Sequence, residues 1–260
     1  MTEPVIDKSV PNSARIWNYF LGGKDHYPVD EEAGDAYLAA FPGIADIART
    51  GRLFLGRVVR YLVQEEGIGQ FLDIGTGLPT VDNTHELAQR ADPSARIVYV
   101  DNDPLVLSHA RALLTSTPEG ATDYIDADMR EPAMILEKTH GTLDFDRPVA
   151  LTLMGVLGHV GDDGEAHALV AELLDGLPPG SFLALYDSHD ENAALNEAQQ
   201  RYDGTGAVPY KLRSRAQIEA FFSGLELVEP GVVPCPRWRP EVDFGDVPDS
   251  PTLCGVGRKA

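Results

Sequence analysis

FLDIGTGLPT, residues 71–80, runs an apolar strand into two glycines, Gly75 and Gly77, and then departs from the dinucleotide-binding pattern. In that pattern a third glycine would stand where this chain has Thr80, and a pyrophosphate rests on the free N–H groups of a helix N-terminus. Here Pro79 lacks an N–H, and Asp73 places a carboxylate in the strand end. Both features work against a diphosphate. They suit a ligand that carries positive charge and no phosphate.

S-adenosyl-L-methionine (SAM), with a sulfonium and an ammonium, is such a ligand, and it makes the third glycine dispensable. Downstream, RIVYVDNDP ends a second strand on Asp101, whose carboxylate can accept both hydroxyls of a ribose. Asp103, just before Pro104, is the better helix cap of the pair. A third strand ends in DADM, where Asp128 can accept an adenine amino group beside the soft apolar Met129. Ligands of open α/β sheets bind at the carboxyl edge of the strands, where all three motifs fall.

The surrounding chain fits such a sheet. Strand-like runs at Gln70–Ile74, Arg96–Asp101, Asp123–Ala127, Val149–Met154 and Ser181–Tyr186 alternate with amphipathic runs. The helical runs begin near Asp82 and after Asp103, and cover Pro132–Lys138 and Asp163–Leu174. This alternation predicts βαβ units and a mostly parallel sheet with helices on both faces. Ahead of it, Leu55, Val58, Val59 and Leu62 share one helix face, which Gly67 can end. Ser214 and Gln217 form a capping box, Gly224 closes the helix that follows, and Leu225–Val228 and Leu253–Val256 read as two last strands. The Pro-rich stretch between them reads as a long loop. The expected division is an N-terminal cap over residues 1–45 and one α/β domain over 46–260.

DIGTG at 73–77, YVDND at 99–103 and DADM at 126–129 resemble the first three motifs of class I SAM-dependent methyltransferases. ARIWNYFLGGKDHYPVD (14–30), FLDIGTGLPT, YVDNDP, ARALL (110–114) and GVLGHV (155–160) resemble more closely a bacterial S-adenosyl methyltransferase family known largely from sequence. The resemblance implies a Rossmann-like sheet of about seven strands with the last antiparallel, and SAM as cofactor. The cofactor-binding residues expected from these motifs are Asp73, Gly75, Thr76, Gly77, Leu78, Asp101, Asn102, Asp128, Met129 and Gly155. Pro79 departs from the general pattern and puts the local loop geometry in question.

The N-terminal block RIWNYFLGGKDHYPVD places Ile16, Tyr19 and Phe20 on one helical face, with Gly22 and Gly23 as its end. One reading is an extension docked by its aromatics. The other is a lid that turns Arg15, Asn18, Asp25, His26 and Tyr27 toward the site. Methyl transfer from a sulfonium is an in-line displacement, in which positioning is worth roughly 7–11 kcal/mol against about 3–5 for a general base. A diagnostic base is therefore not required. The candidates for one are His159 after the fourth strand, Asp187 and His189 after the fifth, and His26 and Tyr27 in the cap.

The 260 residues carry a net charge of −20, which disfavours nucleic acid, and no apolar run long enough to span a membrane. Cys235 and Cys254 have no companion ligand motif, so no metal site is expected and a reducing cytoplasm is the expected location. The reading is a methyltransferase that moves a methyl group to an O or N nucleophile of a small molecule. Its rivals are a catalytically silent SAM-binding sensor or partner protein, and an NAD(P)-dependent oxidoreductase, which the missing third glycine and Asp73 oppose.

Overall fold

The computed structural model describes residues 6–113, 115–241 and 250–260. The final residue of the ARALL motif and positions 242–249 of the Pro-rich stretch lie outside them, as do residues 1–5 of the expected cap. The chain begins with three helices, α1 (Ser13–Phe20), α2 (Pro28–Ala40) and α3 (Ile44–Gln64). The alternating region follows as β1 (Gln70–Ile74), α4 (Thr84–Ala91), β2 (Arg96–Asp101), α5 (Pro104–Leu113), β3 (Ala121–Asp126), α6 (Pro132–Thr139), β4 (Ala150–Met154), α7 (Asp163–Asp175) and β5 (Phe182–Ser188). It ends in α8 (Ala193–Asp203), α9 (Arg215–Ala220), β6 (Glu226–Leu227), β7 (Val233–Pro234) and β8 (Thr252–Arg258).

The strands form one sheet of order β3-β2-β1-β4-β5-β8-β6. The first five run parallel, and β8 returns antiparallel along β5, pairing Phe182 with Arg258 through Ser188 with Thr252. The two-residue strands β6 and β7 pair antiparallel with β8 near its two ends. Among the described residues the sheet thus has eight strands, the additional β7 falling in the stretch read as a loop. Strand order reverses between β1 and β4, which opens a crevice at their carboxyl ends.

Both faces of the sheet are covered. Ile135, Leu173 and Phe221 pack on one side, and Phe54, Leu62, Ala88 and the fully buried Trp238 on the other. Burying each such large apolar side chain contributes roughly 1.5–3 kcal/mol. A separate cluster of Ile16, Phe20, Tyr37, Ile47, Leu195 and Tyr202 joins α1 and α2 to the start of α3 and to α8. The aromatic side chains of α1 and α2 thus pack these two helices against α3 and α8.

A buried ion pair fixes their geometry. Arg15 Nε lies 2.9 Å from Asp30 Oδ2, with both side chains almost wholly buried. Asp30 also accepts the Asn12 and Tyr27 amides, and the Arg15 Nη atoms donate to the carbonyls of Asp7 and Val10. One salt bridge thus ties the leading strap to α1 and to the first turn of α2.

Candidate functional site

Gly75 and Gly77 shape the turn out of β1, with φ of +72° and +65° that side chains other than glycine rarely adopt. A Cβ on Gly75 would meet Val156 Cγ2 at 2.3 Å, whereas one on Gly77 would project into open space. The first glycine is required by packing. The second leaves backbone bare beside a cavity.

That cavity, of about 280 Å³, spans the crevice between the sheet edge and the N-terminal helices. Every cofactor candidate from the sequence lines it: Asp73, Gly75, Thr76, Gly77, Leu78, Asp101, Asn102, Asp128, Met129 and Gly155. The chain does not enter a helix directly after the glycine turn. α4 starts only at Thr84, where Glu86 accepts the Asn83 amide and the Tyr99 hydroxyl accepts the His85 amide. The first turn of α4 does not line the cavity, in keeping with the reading of Pro79.

The carboxylates of the site are held in distinct ways. Asp73 is buried, accepts a 2.6 Å hydrogen bond from the Thr84 hydroxyl, and has its pKa raised by burial. Burial disfavours its charged form, which a cation nearby would favour. Asp101 accepts the Gly77 amide at Oδ2 and the Asp103 amide at Oδ1, each at 2.9 Å, and burial lifts its carboxyl to about 6. Asp103 caps α5 through the Leu105 amide at 2.7 Å. Asp128 accepts the Arg130 amide at 2.9 Å and faces the Asn102 amide group at 3.3 Å. Met129 is buried in the core behind them.

His159 closes a short 3-10 turn, Leu157–His159, beyond β4 and lines the same cavity. Its Nδ1 sits 3.1 Å from the carbonyl oxygen of Pro209. A carbonyl only accepts, so Nδ1 carries the proton and Nε2 keeps its lone pair in the neutral ring. Burial lowers the pKa below the ordinary histidine value, outweighing the opposing pull of the Pro209 carbonyl, with Arg130 adding to the lowering, so the ring is mainly neutral near pH 7.

The other sequence candidates lie elsewhere. β5 runs two residues past its expected end at Tyr186, so Asp187 stands inside the strand with its side chain fully buried. It accepts hydrogen bonds from the Tyr210 hydroxyl and the Ser188 amide and sits 3.5 Å from Arg213. His189 is buried off the cavity wall and accepts the Glu191 amide. His26 packs edge-on against Tyr19, and Tyr27 caps α2 and packs with Leu78, Leu105 and Val106 behind the wall. None of these four lines the cavity. Of the cap residues expected to face the site, Asn18 does so, whereas Arg15 is spent on Asp30.

Arg52, Trp17, Gln199, Tyr202 and Tyr210 were not singled out from the sequence, yet they line the cavity. For Arg52 a signal existed. It precedes Leu55 by three residues and Leu62 by ten, a cation on the apolar stripe of α3. The others sit on α1, on α8 and in the segment before α9, whose patterns do not single them out.

The chain matches the sequence profile of the S-adenosyl methyltransferase family over residues 1–260. It belongs to that family. SAM is accordingly its cofactor, and the residues around the crevice fit it: a bare glycine turn, an acid able to take ribose hydroxyls, and a buried carboxyl whose charged form a positive centre would favour. A solved DUF574 family protein from Streptomyces avermitilis is 44% identical, covers 98% of this chain and 100% of its own, and has a TM-score of 0.94. A candidate methyltransferase from Thermobifida fusca is 40% identical over 97% of this chain and 96% of its own, with a TM-score of 0.89. The mitomycin 7-O-methyltransferase MmcR, at 17% identity over 93% of this chain and 70% of its own, shares the fold with a TM-score of 0.51. Comparison with curated proteins finds no match. No described helix is long and apolar enough to cross a membrane, and the described residues contain no cluster of three metal-ligating side chains.

Proposed function

We propose that this protein transfers a methyl group from SAM to an oxygen or nitrogen nucleophile of a small molecule, with His159 taking up the proton released. The observation that carries the reading is one cavity lined by the buried Asp73 carboxylate, the bare Gly77 backbone and a neutral imidazole. Asp73 is assigned to the positive amino-acid end of the cofactor, and Arg52, on the same wall, to its carboxylate. Asp101 is assigned to the ribose hydroxyls, and Asn102, Asp128 and Met129 to the adenine. Thr76, Leu78 and Gly155 complete the wall.

When bound, SAM supplies a methyl carbon that bonds to the acceptor atom as its C–S bond breaks, leaving the electron pair on sulfur and S-adenosylhomocysteine as product. The chain's own part is to orient the partners, exclude water through the cap, and hold the acceptor's proton at His159 Nε2. Orientation is the larger contribution, roughly 7–11 kcal/mol, and a positioned base adds about 10²–10⁴-fold.

Calorimetric titration with S-adenosylhomocysteine and with NADPH tests the cofactor assignment. Micromolar or tighter binding of the first and none of the second is expected; the reverse rejects the reading.

A further inference from the structure

The cavity has two chemically different halves. Its carboxylates (Asp73, Asp101, Asp103 and Asp128) and its guanidinium groups (Arg52 and Arg130) all stand on α3 or at the carboxyl edge of the sheet. The half built by the cap, α8 and the segment before α9 is lined by Trp17, Phe20, Tyr37, Tyr202, Tyr210 and Leu212. Among the described residues this second half contributes no charged side chain to the wall.

The aromatic rings there are already arranged edge to face. Trp17 meets Phe20 at 6.1 Å and 74°, Phe20 meets Tyr37 at 5.9 Å and 65°, and Tyr37 meets Tyr202 at 5.8 Å and 68°. Where the two halves meet, Tyr210 stands edge-on against His159 with ring centroids 5.1 Å apart. Several polar groups of this half are engaged: Gln199 accepts from Tyr37 and donates to Asp203, Tyr210 donates to Asp187, and Asn18 Oδ1 accepts the Asp25 amide. An ionic acceptor entering here would lose its water and find no counter-charge. A flat uncharged ring would find edges and faces to pack against.

We infer that the acceptor is an uncharged aromatic molecule with a ring hydroxyl or amine, seated between the cap aromatics and Tyr210 with that group toward His159. The inference rests on the methyltransferase reading and narrows its substrate class. The methylation is balanced within the site: the ring heteroatom gains the methyl, its proton passes to His159 Nε2, and the imidazolium returns it to solvent.

The test uses the full chain saturated with S-adenosylhomocysteine and titrated by calorimetry with 2-naphthol, 2-naphthalenesulfonate and spermine. 2-Naphthol is expected to bind at least tenfold more tightly than either charged probe. Leu212→Asp and Trp17→Ala, both at partly exposed positions, should each weaken 2-naphthol at least tenfold while leaving S-adenosylhomocysteine affinity within twofold. Equal or tighter binding of a charged probe overturns the inference, as does 2-naphthol binding untouched by both substitutions, or none at all, in a protein that still binds S-adenosylhomocysteine. Failure to bind S-adenosylhomocysteine instead overturns the methyltransferase reading itself.

Discussion

The Gly77 amide donates to Asp101 Oδ2 across 2.9 Å, so the turn after β1 and the tip of β2 are joined through the carboxylate assigned to the ribose. Replacing Asp101 by alanine removes that tether and both expected ribose hydrogen bonds. Hydrogen bonds to a charged group contribute roughly 1.5–3 kcal/mol each. Asp101→Ala is therefore expected to weaken S-adenosylhomocysteine by about 3 kcal/mol or more, roughly 150-fold. Unchanged affinity by calorimetry would mean the ribose lies elsewhere.

The same residue sets a pH dependence. Burial raises the Asp101 carboxyl from 3.8 to about 6, so below that pH the free protein holds it neutral. Product binding should weaken as pH falls below about 6, approaching tenfold per unit, and Asp101→Asn should flatten this limb. Stability moves the other way. A carboxyl that binds its proton more tightly when folded makes the ligand-free protein lose stability as pH rises from about 4 to about 6, with no further loss above. Asp187, also lifted to about 6 by burial, adds to that window, so Asp101→Asn should reduce the stability slope without abolishing it.

The two glycines of the turn should fail differently. Gly75→Ala combines a left-handed backbone with a Cβ 2.3 Å from Val156, and is expected to cost about 3–5 kcal/mol and lower Tm by roughly 10 °C. Gly77→Ala meets no neighbour and should cost only about 1–2 kcal/mol, while its methyl narrows the cavity and weakens S-adenosylhomocysteine. Equal losses of Tm would contradict this distinction.

His159→Gln should lower kcat by about 10²–10⁴ with little change in S-adenosylhomocysteine affinity. The lowered imidazole pKa places the acid limb of the wild-type rate below the ordinary histidine range. A glutamine variant with wild-type kcat would remove His159 from the chemistry.

Arg15→Ala strips a buried carboxylate of its cation and should cost about 3–5 kcal/mol in urea denaturation. Arg15→Lys should recover less than half of that. The guanidinium also donates to the Asp7 and Val10 carbonyls at 3.0 and 2.6 Å, a fork that an ammonium does not reproduce.

What was legible in the sequence was what is local. Gly75, Asp101 and Asp128 lie at, or within two residues after, the end of a parallel strand, and parallel strands in one sheet bring such ends to one edge whatever the helices between them do. The Ser214–Gln217 capping box likewise needs only three residues of context, and it forms as expected. α8 was not legible. Its buried positions are Leu195, Ala198, Gln199 and Tyr202, and a stripe half polar or small carries little periodic signal. Asp187 was misplaced because the β5 terminus is set by pairing with β8, a partner about 70 residues away in sequence. The polar Asp-Ser pair read as a loop until that neighbour extended the ladder. The cap aromatics were visible as a helical face, but only contact with α8 makes them one side of a chamber.

Translation delivers β8 only after residue 251 has emerged, yet β8 covers the whole flank of β5 from Phe182 to Ser188. A nascent chain stalled before that point exposes seven consecutive unpaired positions of an otherwise interior strand, an adhesive edge for other copies. Soluble yield should therefore depend on how quickly this closing segment follows the ribosomal tunnel, and a truncation ending at residue 251 should accumulate as aggregate even though every motif assigned to the nucleoside is intact.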